Sequence, residues 1–158
     1  MAASVQTTHA GSMGSAVAEY CIADLGTTWV DFGGWEIGIT YDSWDRDTGQ
    51  RKTITGDEAI MGKGKLNLTG LTINAVYSDG DTTDFVDVVW TDFVTADGGQ
   101  FMIRDCPQGT ASGKMTIETN TDAIIDSLTL PGRSSDDAAP LMFSCHIKTS
   151  GFDMAAHT

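Results

Sequence analysis

Across 158 residues, 22 acids stand against only 9 lysines and arginines, a formal net charge of −13. That balance excludes a nucleic-acid wrapper, which needs a basic face to displace the counterions of the phosphate backbone. The length suits one domain with a single apolar core, and 41% hydrophobic residues with 18 glycines against 3 prolines describe a globular, turn-rich chain that leans toward β structure.

The first 18 residues, MAASVQTTHAGSMGSAVA, are small and polar with no clear period, and read as an arm that orders only against a neighbour. From Trp35, WEIGITY alternates Trp35, Ile37, Ile39 and Tyr41 with Glu36, Gly38 and Thr40, the period of a half-buried strand. YDSWDRDTGQRK, Tyr41 to Lys52, then reads as a loop. RKTIT forms its return strand, giving a hairpin with Gly49 near the tip. GDEAIMGKG reads as a further loop.

KLNLTGLTINAVY changes apolar phase, Leu66 and Leu68 on one parity and Leu71, Ile73, Ala75 and Tyr77 on the other, so a β-bulge at Thr69-Gly70 is expected. In SDGDTTDFVDVVWTDFVTADGG, Asp84, Asp87, Thr91 and Thr95 fall at helical spacing opposite Phe85, Val86, Val89, Trp90 and Phe93. The spacing predicts a helix capped by Thr82 or Thr83 and stopped by Gly98-Gly99. QFMIRD, GKMTIET, AIIDSLTL and LMFSCHIK return to strands. In the last, Leu141, Phe143, Cys145 and Ile147 share one face, and Met142, Ser144, His146 and Lys148 the other. The expected fold is mainly β, a sandwich or barrel of about seven strands flanked by one α-helix. A long hairpin arm and an extended N-terminus complete it. The expected organisation is an arm over 1–18, one domain over 19–152 and a C-terminal tail over 153–158.

No catalytic or ligand signature stands out. GxSxG, GxxxxGK[ST] and HExxH are absent, and GKGK at Gly62 to Lys65 is too short to cradle phosphates. Read as a calcium loop from Asp45, Asp47 fits position three, but Gly49 falls at position five and Gly56 at position twelve, where an EF-hand needs glutamate. Adjacent Cys145 and His146 point to opposite sides of a strand, so they form no nucleophile pair, and Cys145 reads as a small core residue. Cys21, Cys106 and Cys145 are an odd number with no CxxC pair, which implies reduced thiols in a cytoplasmic setting. No apolar run approaches the ~20 residues that span a bilayer, so membrane insertion is not expected. Neither an enzyme nor a bound cofactor or metal is expected.

The order of elements does resemble a family. TTWVDFGGWEIGIT, a long polar hairpin, ITGDEAIMGKGKLNLTGLTINAVYSDG, the helix TDFVDVVWTDF, FMIRDCPQG, SGKMTIETNTDAIIDSLTLPG and PLMFSCHIKTSGF follow one another as in the major tail tube proteins of long-tailed (siphovirus-type) bacteriophages. The resemblance covers roughly Thr27 to Phe152 and lies in element order rather than in an invariant motif. It implies a β-sandwich with a flanking helix, assembled in rings of six that stack into a hollow tube for genome ejection. The implied setting is the virion tail, assembled in the host cytoplasm, with further copies, a tape measure and a tail terminator as partners. DNA would pass without sticking. No catalytic residues carry over.

The family's hairpin reaches a neighbouring subunit or ring, which gives Tyr41 to Lys52 a role. Trp44, flanked by Asp42, Asp45, Asp47, Arg46 and Arg51, is the candidate anchor on that neighbour, with Tyr41 and Lys52 completing the stretch. A solvated hairpin tip is the alternative. Part of the acid surplus would line the bore, while Arg51, Lys52, Lys63 and Lys65 would mediate contacts between subunits. Two other readings stay open: a head decoration protein that trimerises on a capsid, and a carbohydrate- or calcium-binding β-sandwich module using Trp29, Trp35 or Trp44 as sugar platforms.

Overall fold

The computed structural model describes residues 16–22, 26–32, 36–54, 56, 59–77, 85–95, 99–132 and 141–158. The arm over 1–15, Trp35, the helix caps Thr82 and Thr83 and the stop at Gly98 lie outside them. Eleven strands rather than about seven are present among the described residues. They are β1 (Val17–Cys21), β2 (Val30–Asp31), β3 (Glu36–Tyr41), β4 (Arg46–Lys52), β5 (Ala59–Leu66), β6 (Thr69–Val76), β7 (Met102–Cys106), β8 (Met115–Thr119), β9 (Ile124–Thr129), β10 (Met142–Thr149) and β11 (Phe152–Ala156). One helix, α1 (Phe85–Trp90), runs into a π-helical turn, Thr91–Thr95.

Two antiparallel sheets enclose the core. One has the order β11-β8-β7-β1-β2 and the other β3-β6-β10-β9. The alternation expected of LMFSCHIK is present: Phe143, Cys145 and Ile147 of β10 are buried, with Met142, Ser144, His146 and Lys148 more exposed. They meet Leu71, Ile73 and Ala75 of β6 and Ile125 of β9 from their own sheet. From the opposite sheet come Ala18 and Tyr20 of β1 and Ile103 of β7. Tyr20 stacks on Phe101 at a centroid distance of 5.6 Å and tilts against Phe32 at 5.4 Å. Val86 and Val89 close the core from α1. Each large side chain so buried contributes about 1.5–3 kcal/mol. All three cysteines are buried, and none is joined in a disulfide.

Four expectations are corrected. The phase change in KLNLTGLTINAVY is not a bulge, because the chain leaves one sheet and enters another. Up to Leu66 it belongs to the two-stranded β4-β5 ribbon, and from Thr69 it is a core strand, with Asn67-Leu68 as the corner. Leu66 and Leu68 stay exposed while Leu71, Ile73 and Ala75 are buried. AIMGKG, within the expected loop GDEAIMGKG, belongs to β5. RKTIT is not a return strand, because Arg51 and Lys52 end β4, which starts at Arg46, and the return strand is β5. Gly49 pairs with Gly62 in mid-ribbon rather than at a tip. Finally, Trp90 is 46% exposed instead of facing the core.

The strand ladder also begins and ends beyond the expected boundaries. β1 takes in Val17 and Ala18, and β11 pairs with β8 from Phe152↔Thr119 to Ala156↔Met115.

Candidate subunit interface

The β4-β5 ribbon is joined to neither of the larger sheets, and both its strands are exposed along their whole length. A two-stranded ribbon with two wet faces is marginal by itself. Its reach is roughly 20 Å, from seven residues at ~3.3 Å each. Ile54 beyond its β4 end is fully exposed, and Ile60 and Met61 on β5 are about two-thirds exposed. Residues 46–66 hold five of the nine basic residues and three of the 22 acids, so this arm carries a formal +2 and the rest of the chain −15.

Register sorts the arm into two faces. Thr48 opposite Lys63, Gln50 opposite Met61 and Lys52 opposite Ala59 define one, where Met61 lies among lysines. Gly49 opposite Gly62 and Arg51 opposite Ile60 define the other. A methyl added at Gly49 would meet nothing within 4 Å, so packing inside this chain does not demand glycine there.

Most of the residues singled out between Tyr41 and Lys52 sit at the arm's root, not at its tip. Tyr41 donates from its hydroxyl to Asp105 Oδ2 at 2.7 Å, and its ring meets Phe152 edge-on at 5.4 Å. Burial pushes the Asp105 carboxyl up, opposed by that hydroxyl. Asp42 donates its backbone N–H to Gly70 O at 2.9 Å. Trp44, 42% exposed, packs edge-on to Phe152 at 6.1 Å and lies over Gly151, where an added Cβ would stand 2.7 Å from the indole. Asp45 accepts from Asn67 N through its carbonyl at 2.8 Å, and Asp47 Oδ1 accepts from Asn67 Nδ2 at 2.9 Å. Arg46 Nη1 donates to Gly64 O at 2.9 Å. Only Arg51 and Lys52 stand out on the projecting part, joined there by Lys63 of β5, while Lys65 lies at the root, beside the Arg46–Leu66 pair.

Sequence reasoning missed a second feature of the root. His146 on β10 lies between two carboxylates, Nε2 2.6 Å from Asp42 Oδ2 and Nδ1 2.5 Å from Asp126 Oδ1 on β9. Burial alone would lower its pKa, but the two carboxylates outweigh it and hold the imidazole above its ordinary value. The ring crosses Gly70, where an added Cβ would stand 2.9 Å from Cε1 and Nε2. Only the outward parity of His146 signalled this from sequence, since Asp42 is 104 residues away. The link ties the segment entering the arm to the middle of a core sheet, so the arm leaves the body from a fixed base.

Trp29 and Trp44 are both engaged within the chain. The guanidinium of Arg104 lies 4.4 Å above the Trp29 ring while Nε bonds Glu19 at 2.6 Å, and Trp44 has Phe152. Among the described residues no three histidines, cysteines or carboxylates stand together as a metal-ligand set.

The two sandwich sheets, the single helix and the projecting ribbon define a tail-tube-like β fold. Solved structures of injection machines share it over nearly the whole chain. One is a chain of the PVC sheath-tube complex of an extracellular contractile injection system in its extended state. It superposes with a TM-score of 0.70 at 16% identity, covering 95% of this chain and 94% of that one. A chain of the anti-feeding prophage (AFP) baseplate gives 0.70 at 9% identity, covering 92% and 95%. A chain of the PVC sheath/tube terminator gives 0.67 at 14%, covering 94% and 98%. At these identities the likeness is one of fold. No family model and no curated protein matches the sequence.

Proposed function

We propose that this protein is the tube subunit of a phage-tail-like machine, assembling in six-membered rings that stack into a hollow conduit. The observation that carries the reading is the β4-β5 arm, whose two faces no part of the fold covers and whose charge is opposite to that of the body. Burying Ile54, Ile60 and Met61 on a neighbour would add about 1.5–3 kcal/mol each before ordering costs. The fold shared with chains of contractile injection systems supports a tail role, in a contractile or a long-tailed particle. Trp44 and its flanking charges, Asp42 to Arg51, contribute by fixing the root and presenting the half-exposed indole beside it.

In such a tube the acid surplus lines the bore, where a negative wall lets a polyanionic genome pass without counterion-driven sticking. Basic residues, with Arg51, Lys52, Lys63 and Lys65 foremost, stay at contacts between subunits. Terminator and tape-measure proteins are the expected tail partners, and the finished protein resides in the particle's tail after assembly in the host cytoplasm.

Replacing 47–65 by an Asn-Gly turn joins Arg46 to Leu66, which are already paired. The shortened chain is expected to keep a cooperative thermal unfolding transition and to sediment as a monomer where the full chain forms rings or tubes. Tubes built by the armless chain would overturn the proposal.

A further inference from the structure

The arm needs an acceptor, and the outward side of the helix has the complementary chemistry. Within α1, at 100° per residue, Val86 and Val89 share the inward arc with Trp90 at its margin and Asp87 outward, and Asp92, Phe93 and Val94 follow in the π-helical turn. The burials agree: Val86, Val89 and Asp92 are buried, while Trp90 is 46% and Val94 51% exposed. A half-exposed tryptophan beside a half-exposed valine is an apolar stripe, and Asp87 is the partly exposed carboxylate on the same helix. Between Lys65 and Arg104 the sequence has six aspartates, Asp79, Asp81, Asp84, Asp87, Asp92 and Asp97, and no lysine or arginine. The arm's Met61 face is its counterpart, an apolar side chain with Lys52 and Lys63 around it.

Resting on the tube reading above, we infer that the Trp90–Val94 stripe is the acceptor for the β4-β5 arm of a second copy. Met61 of one copy lies against Trp90 and Val94 of the next, and its flanking Lys52 and Lys63 meet Asp87 on the same helix. The apolar contact supplies burial, and the charges set orientation and speed of encounter. Because arm and stripe are different surfaces of the chain, the contact is head-to-tail. Passed on from copy to copy rather than exchanged reciprocally between two, it closes a ring or propagates a stack.

Photo-crosslinking tests the inference. A benzophenone amino acid placed at position 61 of the full chain, irradiated after assembly, is expected to yield an intersubunit crosslink to the peptide containing residues 85–95. Val94→Glu, at an exposed position, is expected to leave the melting of the dissociated chain unchanged and to raise the critical concentration for assembly at least about tenfold. Lys63→Glu would do the same, and adding Asp87→Lys would recover part of the loss. Assembled particles whose crosslinks map to another segment, or to a different protein, overturn this contact while leaving the tube reading standing. A chain that never assembles overturns both.

Discussion

Replacing Asp92 with Asn is expected to remove a pH-dependent loss of stability from the helix that carries the proposed acceptor stripe. Asp92 lies in the π-helical turn, 7% exposed, and its Oδ2 has no hydrogen-bond partner among the described residues. Burial pushes its carboxyl up from 3.8 to about 6. The folded chain therefore holds this proton more tightly than the unfolded chain. The stabilisation is full below the unfolded value of 3.8 and is lost as pH rises through about 6. About two pKa units correspond to about 3 kcal/mol, most of it lost between about pH 4 and pH 6. The Asn variant stays neutral throughout, at a pH-independent cost of about 1–3 kcal/mol for its unpartnered amide. Urea unfolding followed by tryptophan fluorescence, below the assembly concentration, gives the difference between the two chains at each pH. That difference should favour the parent by about 1–3 kcal/mol in acid and move by about 3 kcal/mol toward the Asn variant by neutrality, vanishing or changing sign. A difference that stays level across the range would refute the assignment of an uncompensated buried carboxyl.

His146→Gln should abolish a second pH dependence of opposite chemistry. The imidazole's raised pKa gives stability that is present below 6.5 and fades as pH rises through the folded value, so parent and variant melting curves should converge in alkali. Equal separation at acid and alkaline pH would count against the Asp42–His146–Asp126 link. Gly70→Ala forces a methyl into the carbonyl of Ile147 and the His146 ring, and should cost about 2–4 kcal/mol in chemical denaturation, with a near-neutral result showing that the ring does not lie there. Trp44→Ala removes a half-buried indole from Phe152 and Gly151 and should lower unfolding stability by about 2 kcal/mol, roughly half the cost of a fully buried aromatic. An unchanged unfolding midpoint would show that its packing against Phe152 contributes nothing.

What could be read from sequence was set by where each strand found its partners. β10 was legible because one face meets the core and the other meets water, which writes period two into Phe143, Cys145 and Ile147. β5 left no such trace. Its ladder partner is β4, neither face meets the core, and Gly62, Gly64, Lys63 and Lys65 carry no apolar rhythm. β11 was missed for a related reason, being an edge strand held to β8 with only Phe152 packed against the core. The parity change at Leu68–Leu71 was seen and given the wrong cause, because a bulge and a change of sheet produce the same signal in one dimension. Trp90 is apolar and sits at the margin of the inward arc, a position from which helical spacing alone does not decide burial, and it is exposed. Of the candidate interface, the charge of Tyr41 to Lys52 was visible, but its expected loop is strand β4 from Arg46 to Lys52. The root contacts were not visible, since Asp42, Trp44 and Tyr41 meet His146, Phe152 and Asp105 across long sequence separations.

Electron microscopy of the purified full-length protein at high concentration tests most directly whether this chain buries its arm in copies of itself. Stacked rings with an open, acid-lined bore are the expected image. A field of single particles of monomer mass at every concentration, or of closed trimers, would contradict it.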